Sequence, residues 1–246
     1  MTDPTAKQQE HAETLRRLHR DPALLHLVNV WDVASARAVA GVPGTTAIAT
    51  ASAAVAASNG YEDGEDIPLD LHLAVVGRIC RAVDLPVTAD LERGYGDVRG
   101  TITSAIEAGA VGANLEDDMC PTVEMQARVR DAVAAGAARE IPVVLNARTD
   151  VYLNHPDRDE ATKLAEAITR GRAYLDAGAN CIFVPGCVGP ESIRSLGAAL
   201  GPGRLSLLAV PGIPDRQTLE DLGVARLSHG PFPHRRAMEA LAAYPG

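Results

Sequence analysis

An eight-stranded parallel (β/α)8 barrel is the fold this sequence predicts, and three observations predict it. Short, near-continuous apolar runs recur eight times along the chain, amphipathic stretches separate them, and glycine punctuates the same point of the repeat more than once. Apolar runs without polar alternation are expected of strands buried on both faces, and strands alternating with helices build parallel sheets. Eight βα units averaging roughly thirty residues add up to the ~250 residues typical of a barrel, and the chain has 246. A single domain, residues 1–246, is the expected organisation.

The candidate strands follow in order at residues 24–30, 46–51, 87–90, 112–116, 143–148, 181–184, 205–210 and 225–228. Each is a run of four to seven mostly apolar residues, too short for a helix and rich in Val, Ile, Leu and Ala. Helices are expected between them at 69–83, 101–108, 122–135 and 161–177, where apolar residues recur at spacings of three and four and so share one helical face. Two of these helices lead into Glu107-Ala108-Gly109-Ala110 and Asp176-Ala177-Gly178-Ala179, with weaker echoes at Ala40-Gly41-Val42 and Leu222-Gly223-Val224. Glycine just past a helix end adopts the left-handed conformation and turns the chain into the next strand. A doubly wound open sheet is the competing arrangement. It usually has a glycine-rich phosphate turn after its first strand, and here that turn reads Asn29-Val30-Trp31-Asp32-Val33-Ala34-Ser35-Ala36, with no glycine.

Composition limits the partners. A hydrophobic content of 46% suits one well-buried α/β core. The formal net charge is −9 and the longest basic cluster is the pair Arg235-Arg236, so neither nucleic acid nor an anionic membrane is an expected partner. Residues 1–20 are polar and mixed in charge, without the apolar segment of a signal peptide, and no stretch is long and apolar enough to span a bilayer. The expected location is the cytoplasm. Cys80, Cys120, Cys181 and Cys187 form no CxxC pair, so they read as reduced thiols rather than zinc ligands or disulfides.

In a barrel the loops at the C-terminal ends of the strands build the site. Asp32, the segment from Thr50 to Ala53, Asp90, Glu92, Glu116 and Arg148 all fall there. Residues two apart on a strand share a face, so Asp90 with Glu92, Asn114 with Glu116, and Asn146 with Arg148 point the same way. Carboxylates gathered beside one guanidinium repel each other unless a cation or a pKa shift relieves them. Such hard oxygen ligands suit Mg²⁺, with Mn²⁺ as an acceptable substitute, and leave room for a small anionic substrate. The competing reading is a set of structural ion pairs. Asp32 precedes a helix and is expected to cap it. Gly94-Tyr95-Gly96 permits close approach of main chain to a ligand. His155, His229 and His234 lack ligand spacing and read as surface or packing residues.

The combination of Thr88-Ala89-Asp90-Leu91-Glu92-Arg93-Gly94-Tyr95-Gly96, Asn114-Leu115-Glu116-Asp117, Asn146-Ala147-Arg148-Thr149-Asp150 and Gly60-Tyr61-Glu62-Asp63-Gly64-Glu65 resembles the isocitrate lyase and phosphoenolpyruvate mutase superfamily. The similarity runs from about Leu24 to Leu241. It implies a barrel enzyme that binds Mg²⁺ and a small α-keto or hydroxy acid, and that makes or breaks a C–C or P–C bond beside the keto group. By position, Asp90 resembles the direct metal ligand, Glu92 and Glu116 resemble ligands acting through metal waters, and Asp63 resembles an acid that helps hold those waters. Arg148 resembles the arginine that binds the substrate carboxylate by a two-pronged hydrogen bond. Ala51-Ser52-Ala53 aligns with the loop whose backbone amides receive that carboxylate, without the usual Ser-Gly order. Family members usually form tetramers by exchanging a last helix; with only 235–244 after Pro233 the exchange is expected to be curtailed, giving a homo-oligomer that is a dimer rather than a tetramer.

Two departures matter. Lyases of the family carry a mobile loop of Lys-Lys/Arg-Cys-Gly-His type after the residue equivalent to Glu116, and its cysteine is their acid/base group. Here the run is Asp117-Asp118-Met119-Cys120-Pro121-Thr122-Val123-Glu124; Cys120 lies too close to Glu116 to match, and no lysine or histidine accompanies it. Val210 stands where many lyases have asparagine. Three functions remain in play: a Mg²⁺-dependent C–C lyase or decarboxylase on a small di-acid, a P–C mutase or hydrolase on phosphonopyruvate, and a non-catalytic barrel that binds α-keto acids.

Overall fold

The structure is a computed structural model that describes residues 4–244. It is the expected barrel. Strands β1 (Leu25–Leu27), β2 (Asn29–Val30), β3 (Ile48–Thr50), β4 (Val87–Asp90), β5 (Gly112–Glu116), β6 (Val144–Arg148), β7 (Cys181–Phe183), β8 (Leu205–Leu208) and β9 (Val224–Ser228) form one parallel sheet. The first expected strand is divided at Val28, and its halves close the ring: β1 pairs with β9 and β2 pairs with β3. Asn29 fastens this seam, donating to Thr50 O at 2.7 Å while its Oδ1 accepts from the amides of His229 and Gly230, each at 2.8 Å.

The four expected helices are all present, as α4 (Leu69–Ala82), α5 (Val98–Ala108), α6 (Thr122–Ala138) and α8 (Glu160–Ala177); α1 (Pro4–Arg20), α2 (Val33–Ala40), α3 (Ser52–Ser58), α7 (Val151–Asn154), α9 (Pro190–Leu200), α10 (Arg216–Asp221) and α11 (Phe232–Ala242) complete the set. Asp32 caps α2 as expected: its carboxylate accepts from the Ser35 amide at 2.7 Å, and the Ser35 hydroxyl answers the Asp32 amide. Gly109 and Gly178 end α5 and α8 with φ of 107° and 114°, the left-handed geometry that their place in the repeat predicts. The echo at Gly41 is different, since it is right-handed with φ −76°.

The polar N-terminal stretch turns out to be a helix with a packing role. Helix α1 lies across the N-terminal mouth of the barrel, burying Ala12 and Leu15 completely. Leu15 sits against Gly112, where an added Cβ would come within 2.7 Å of Leu15 Cδ2. Gln8 fixes the far end by donating to Ile106 O and Ala110 O. With one mouth plugged, the opposite C-terminal rim is the open face. Among the described residues no helix is long and apolar enough to cross a membrane.

Candidate active site

The strand registers bring the expected acids to one rim. Glu116 pairs with Arg148, so β5 and β6 present their last residues at the same level, while Asp90, the last residue of β4, pairs with Asn114 two residues earlier. Arg148 Nη1 lies 2.7 Å from Glu116 Oε2, and its Nε lies 2.6 Å from Asp150 Oδ1. The Asp150 partner was not read from the sequence; it lies just past β6, as the residue before α7. Because these two carboxylates hold two of its nitrogens, Arg148 keeps only Nη2 free of a hydrogen bond among the described residues. A two-pronged grip on a substrate carboxylate would use Nη2 together with the second N–H of Nη1, beside the Glu116 contact.

Asp90 is fixed from the opposite side. Its Oδ2 accepts from both the Ser52 amide and the Ser52 hydroxyl at 3.1 Å, and the same hydroxyl reaches Asp63 Oδ1 at 3.3 Å. Ser52 thus joins the loop carrying Asp63 to the end of β4. Its amide serves Asp90 here rather than standing open for a substrate, while Ala51 and Ala53 flank it on the same rim.

Glu92 lies just past β4 in a turn that the sequence marks only by its glycines. Glu92 and Tyr95 are non-glycine residues with φ of 52° and 53°, a conformation that costs roughly 1–2 kcal/mol each. The Glu65 carboxylate holds this turn by accepting from the amides of Arg93 and Tyr95 at 3.0 and 2.7 Å. Between them Gly94 has φ 92° and no room for a Cβ, which would meet Val98 Cγ2 at 2.6 Å. The result is a buried Glu92 whose Oε2 has no partner, with the Tyr95 hydroxyl 3.4 Å from Oε1 and 2.8 Å from His72 Nδ1.

Electrostatics show the strain of gathering these acids. Burial, with repulsion from Asp63 and Asp90, pushes Glu92 up to about 7. Burial also pushes Glu116 up to about 8, with Asp90 and Asp150 adding to it against the opposing pull of Arg148. Asp63 is raised by burial and by Asp90. An orphaned buried carboxylate oxygen and mutually repelling acids are what a missing cation would relieve. The donor set fits Mg²⁺ in one manner only. Among the described residues no three acid, imidazole or thiol side chains converge tightly enough to chelate an ion together. An ion with one direct carboxylate, Asp90, and with Glu92, Glu116 and Asp63 reached through its waters suits Mg²⁺, which keeps several waters.

The remaining candidates stand apart. Cys120 is turned to its neighbour, its Sγ 3.6 Å from Pro121 O, and burial raises its thiol. Its loop is anchored: Asp117, fully buried, accepts from Tyr174 OH at 2.7 Å, from Arg170 Nη1 at 3.1 Å and from the amides of Met119 and Asp150. His229 pairs with His26 at 2.6 Å, and His234 lies 3.2 Å from Ser58 Oγ and edge-on to Trp31, so both are packing residues. All four cysteines are free thiols. Arg93, the other cation near the strand ends, is taken up by Gly64 O, Glu65 and Asp118. Sequence reasoning missed Arg226, the one arginine inside the barrel, although a charge in the middle of the run Val-Ala-Arg-Leu-Ser was its signal.

Comparison with known proteins gives the family. The chain is 28% identical to oxaloacetate decarboxylase 1 of Pseudomonas putida over 244 residues, covering 96% of this chain and 84% of that protein. A solved Burkholderia cenocepacia protein to which a phosphonomutase activity is ascribed is 43% identical, with a TM-score of 0.90 and coverage of 96% and 97%. Oxaloacetate acetylhydrolase is 26% identical with a TM-score of 0.83, over 94% of this chain and 84% of that one. The family model for phosphoenolpyruvate phosphomutase matches residues 15–244. The chain belongs to the phosphoenolpyruvate phosphomutase family, within the wider group of C–C lyases and mutases that includes isocitrate lyase.

Proposed function

We propose that this chain is a Mg²⁺-dependent carbon–carbon lyase that decarboxylates a small β-keto di-acid of the oxaloacetate kind. The observation that carries the reading is the pairing of an intact acid and arginine rim with poorly disposed bases beside it: the Cys120 thiol is raised by burial and faces Pro121 O, and the His72 imidazole is buried and bonded to the Tyr95 hydroxyl. Cleaving a β-hydroxy acid needs a base at the hydroxyl from the start. Decarboxylation does not, because the C–C bonding pair moves into an enolate as CO₂ departs, and a proton is needed only afterwards. Bound Mg²⁺ would supply the positive charge that stabilises the enolate.

Each residue then has a part. Asp90, held by Ser52, is placed to ligate the ion, and Glu92, Glu116 and Asp63 to hold its waters. Arg148 Nη2 orients the substrate carboxylate by a charge-assisted hydrogen bond, while Asp150 fixes the guanidinium plane. Ala51 and Ala53, both small, leave the rim open for the substrate. P–C chemistry on phosphonopyruvate is the second reading, favoured by the 43% identical neighbour. It has less support at the rim, where Arg93 is already paired and cannot meet a phosphonate. The deciding assay measures, with saturating Mg²⁺, the release of pyruvate from oxaloacetate and a malyl-type hydroxy acid and the release of pyruvate or phosphoenolpyruvate from phosphonopyruvate. Release from oxaloacetate alone is the expected result; release from phosphonopyruvate alone overturns the proposal in favour of the second reading, and oxalate binding without any turnover leaves a non-catalytic barrel.

A further inference from the structure

Beneath the acidic rim, in the middle of the barrel, lies a cation that no acid touches. Arg226, at the centre of β9, is fully buried, and among the largest side chains to be so. Its Nη2 donates to Asn114 Oδ1 at 3.2 Å, while Nε and Nη1 have no hydrogen-bond partner among the described residues. Asn114 also accepts from Asn146 Nδ2 at 2.9 Å, and Asn146 reaches Ser206 Oγ at 3.4 Å. These four residues make a polar layer where barrels ordinarily pack branched apolar side chains.

The position of the layer gives it meaning. Asn114 is the register partner of Asp90 and lies two residues before Glu116 on the same strand face; Asn146 stands in the same relation to Arg148. Two residues of strand span about 7 Å, so the guanidinium, bonded to Asn114, sits at the register level of Asp90 and one side-chain layer below Glu116 and Arg148. A buried charge without a paired acid costs several kcal/mol, and a half-satisfied polar network is worse than an apolar core. Packing alone therefore does not account for this arginine. Burial lowers it only to about 10, which leaves it charged at neutral pH, with Cys181 and then Asp90 acting in the opposite direction.

We infer that Arg226 is a positioning residue acting through space: its buried charge offsets Asp90, the acid that Asp63, Glu92 and Glu116 all repel, holding the site receptive to an anionic substrate and restraining its affinity for the divalent cation. The inference rests on the reading of the rim as a Mg²⁺ and keto-acid site. It also explains how a site with four acids, whose one rim arginine is already shared by Glu116 and Asp150, can accept a dianion.

The test separates charge from architecture. Calorimetric titration measures Mg²⁺ binding alone and then oxalate binding at saturating Mg²⁺, for the wild type and for Arg226→Met, Arg226→Gln and Arg226→Lys. Removing the charge should tighten Mg²⁺ and weaken oxalate, each by about tenfold, the equivalent of roughly 1.4 kcal/mol. Arg226→Lys, which keeps the charge, should stay within about threefold of wild type on both. Arg226→Gln gives the same reading should Arg226→Met fail to fold, because it is neutral yet able to donate to Asn114. A purely structural arginine would instead weaken both ligands together, in the lysine variant as well, and that pattern overturns the inference. Wild type that binds both ligands with neutral variants unchanged overturns it alone, whereas wild type that binds neither overturns it together with the site reading beneath it.

Discussion

Asp90 reaches its place with one carboxylate oxygen already engaged by Ser52 and the other left for a ligand. Removing it takes away one of four mutually repelling acids, so Asp90→Ala should abolish Mg²⁺-dependent oxalate binding while leaving the thermal midpoint within a few degrees of wild type. Unchanged oxalate affinity would remove Asp90 from the site. Cys120 makes the complementary case. Its thiol is raised by burial, faces its own neighbour's carbonyl, and sits on a loop tied down through Asp117 to Arg170 and Tyr174. A thiol that cannot readily ionise or swing is a poor base. Cys120→Ser is therefore expected to keep most of the pyruvate release from oxaloacetate in a side-by-side assay. A thousandfold loss, roughly 4 kcal/mol of barrier, would show that the thiol takes part after all.

The elements differ in how plainly the sequence announces them. Strands such as Val87–Asp90 and Gly112–Glu116 were legible because burial on both faces leaves an uninterrupted apolar run; the expected sharing of a strand face by Asp90 and Glu92 does not hold, because β4 ends at Asp90 and Glu92 is left-handed. The loop after Glu116 was legible as a departure, since its length excludes a long mobile segment; that Asp117 nails it to α8 was not, because the partners lie more than fifty residues away. Arg226 and α1 were missed for related reasons. A lone arginine in a strand gives no periodic signal, and α1, with only Ala12 and Leu15 fully buried, looks like a polar leader. Its worth shows only in three dimensions, where Leu15 fills the barrel mouth against Gly112. Leu15→Ala should cost about 2–4 kcal/mol in denaturant unfolding, yet leave oxalate affinity intact because the plug is at the end opposite the acids. Weakened oxalate binding at unchanged stability would contradict that division of labour.

At the scale of the whole molecule, stability and function pull against each other through the same acids. In the folded chain burial lifts Glu92 to about 7 and Glu116 to about 8, and raises Asp63 as well; in the unfolded chain these groups return to about 4. Between those limits the folded state binds more protons than the unfolded one, so the stability they contribute is present at low pH and is lost as pH rises through the folded values. Without a divalent ion the protein should therefore melt several degrees lower at pH 8.5 than at pH 6, a chain of this length shifting by about 2–4 °C per kcal/mol. An ordinary acidic protein with paired carboxylates would show the opposite slope over the lower part of this range. On the proposed reading Mg²⁺ would bind only the folded state and only the ionised acids, so it should raise the midpoint more at pH 8.5 than at pH 6 and largely erase the difference. Scanning calorimetry at the two pH values, with and without millimolar Mg²⁺, checks both halves of the expectation. A midpoint that is flat or rising with pH in the absence of the ion would mean that these carboxylates are not forced together, and that the rim is a set of satisfied ion pairs rather than a cation site.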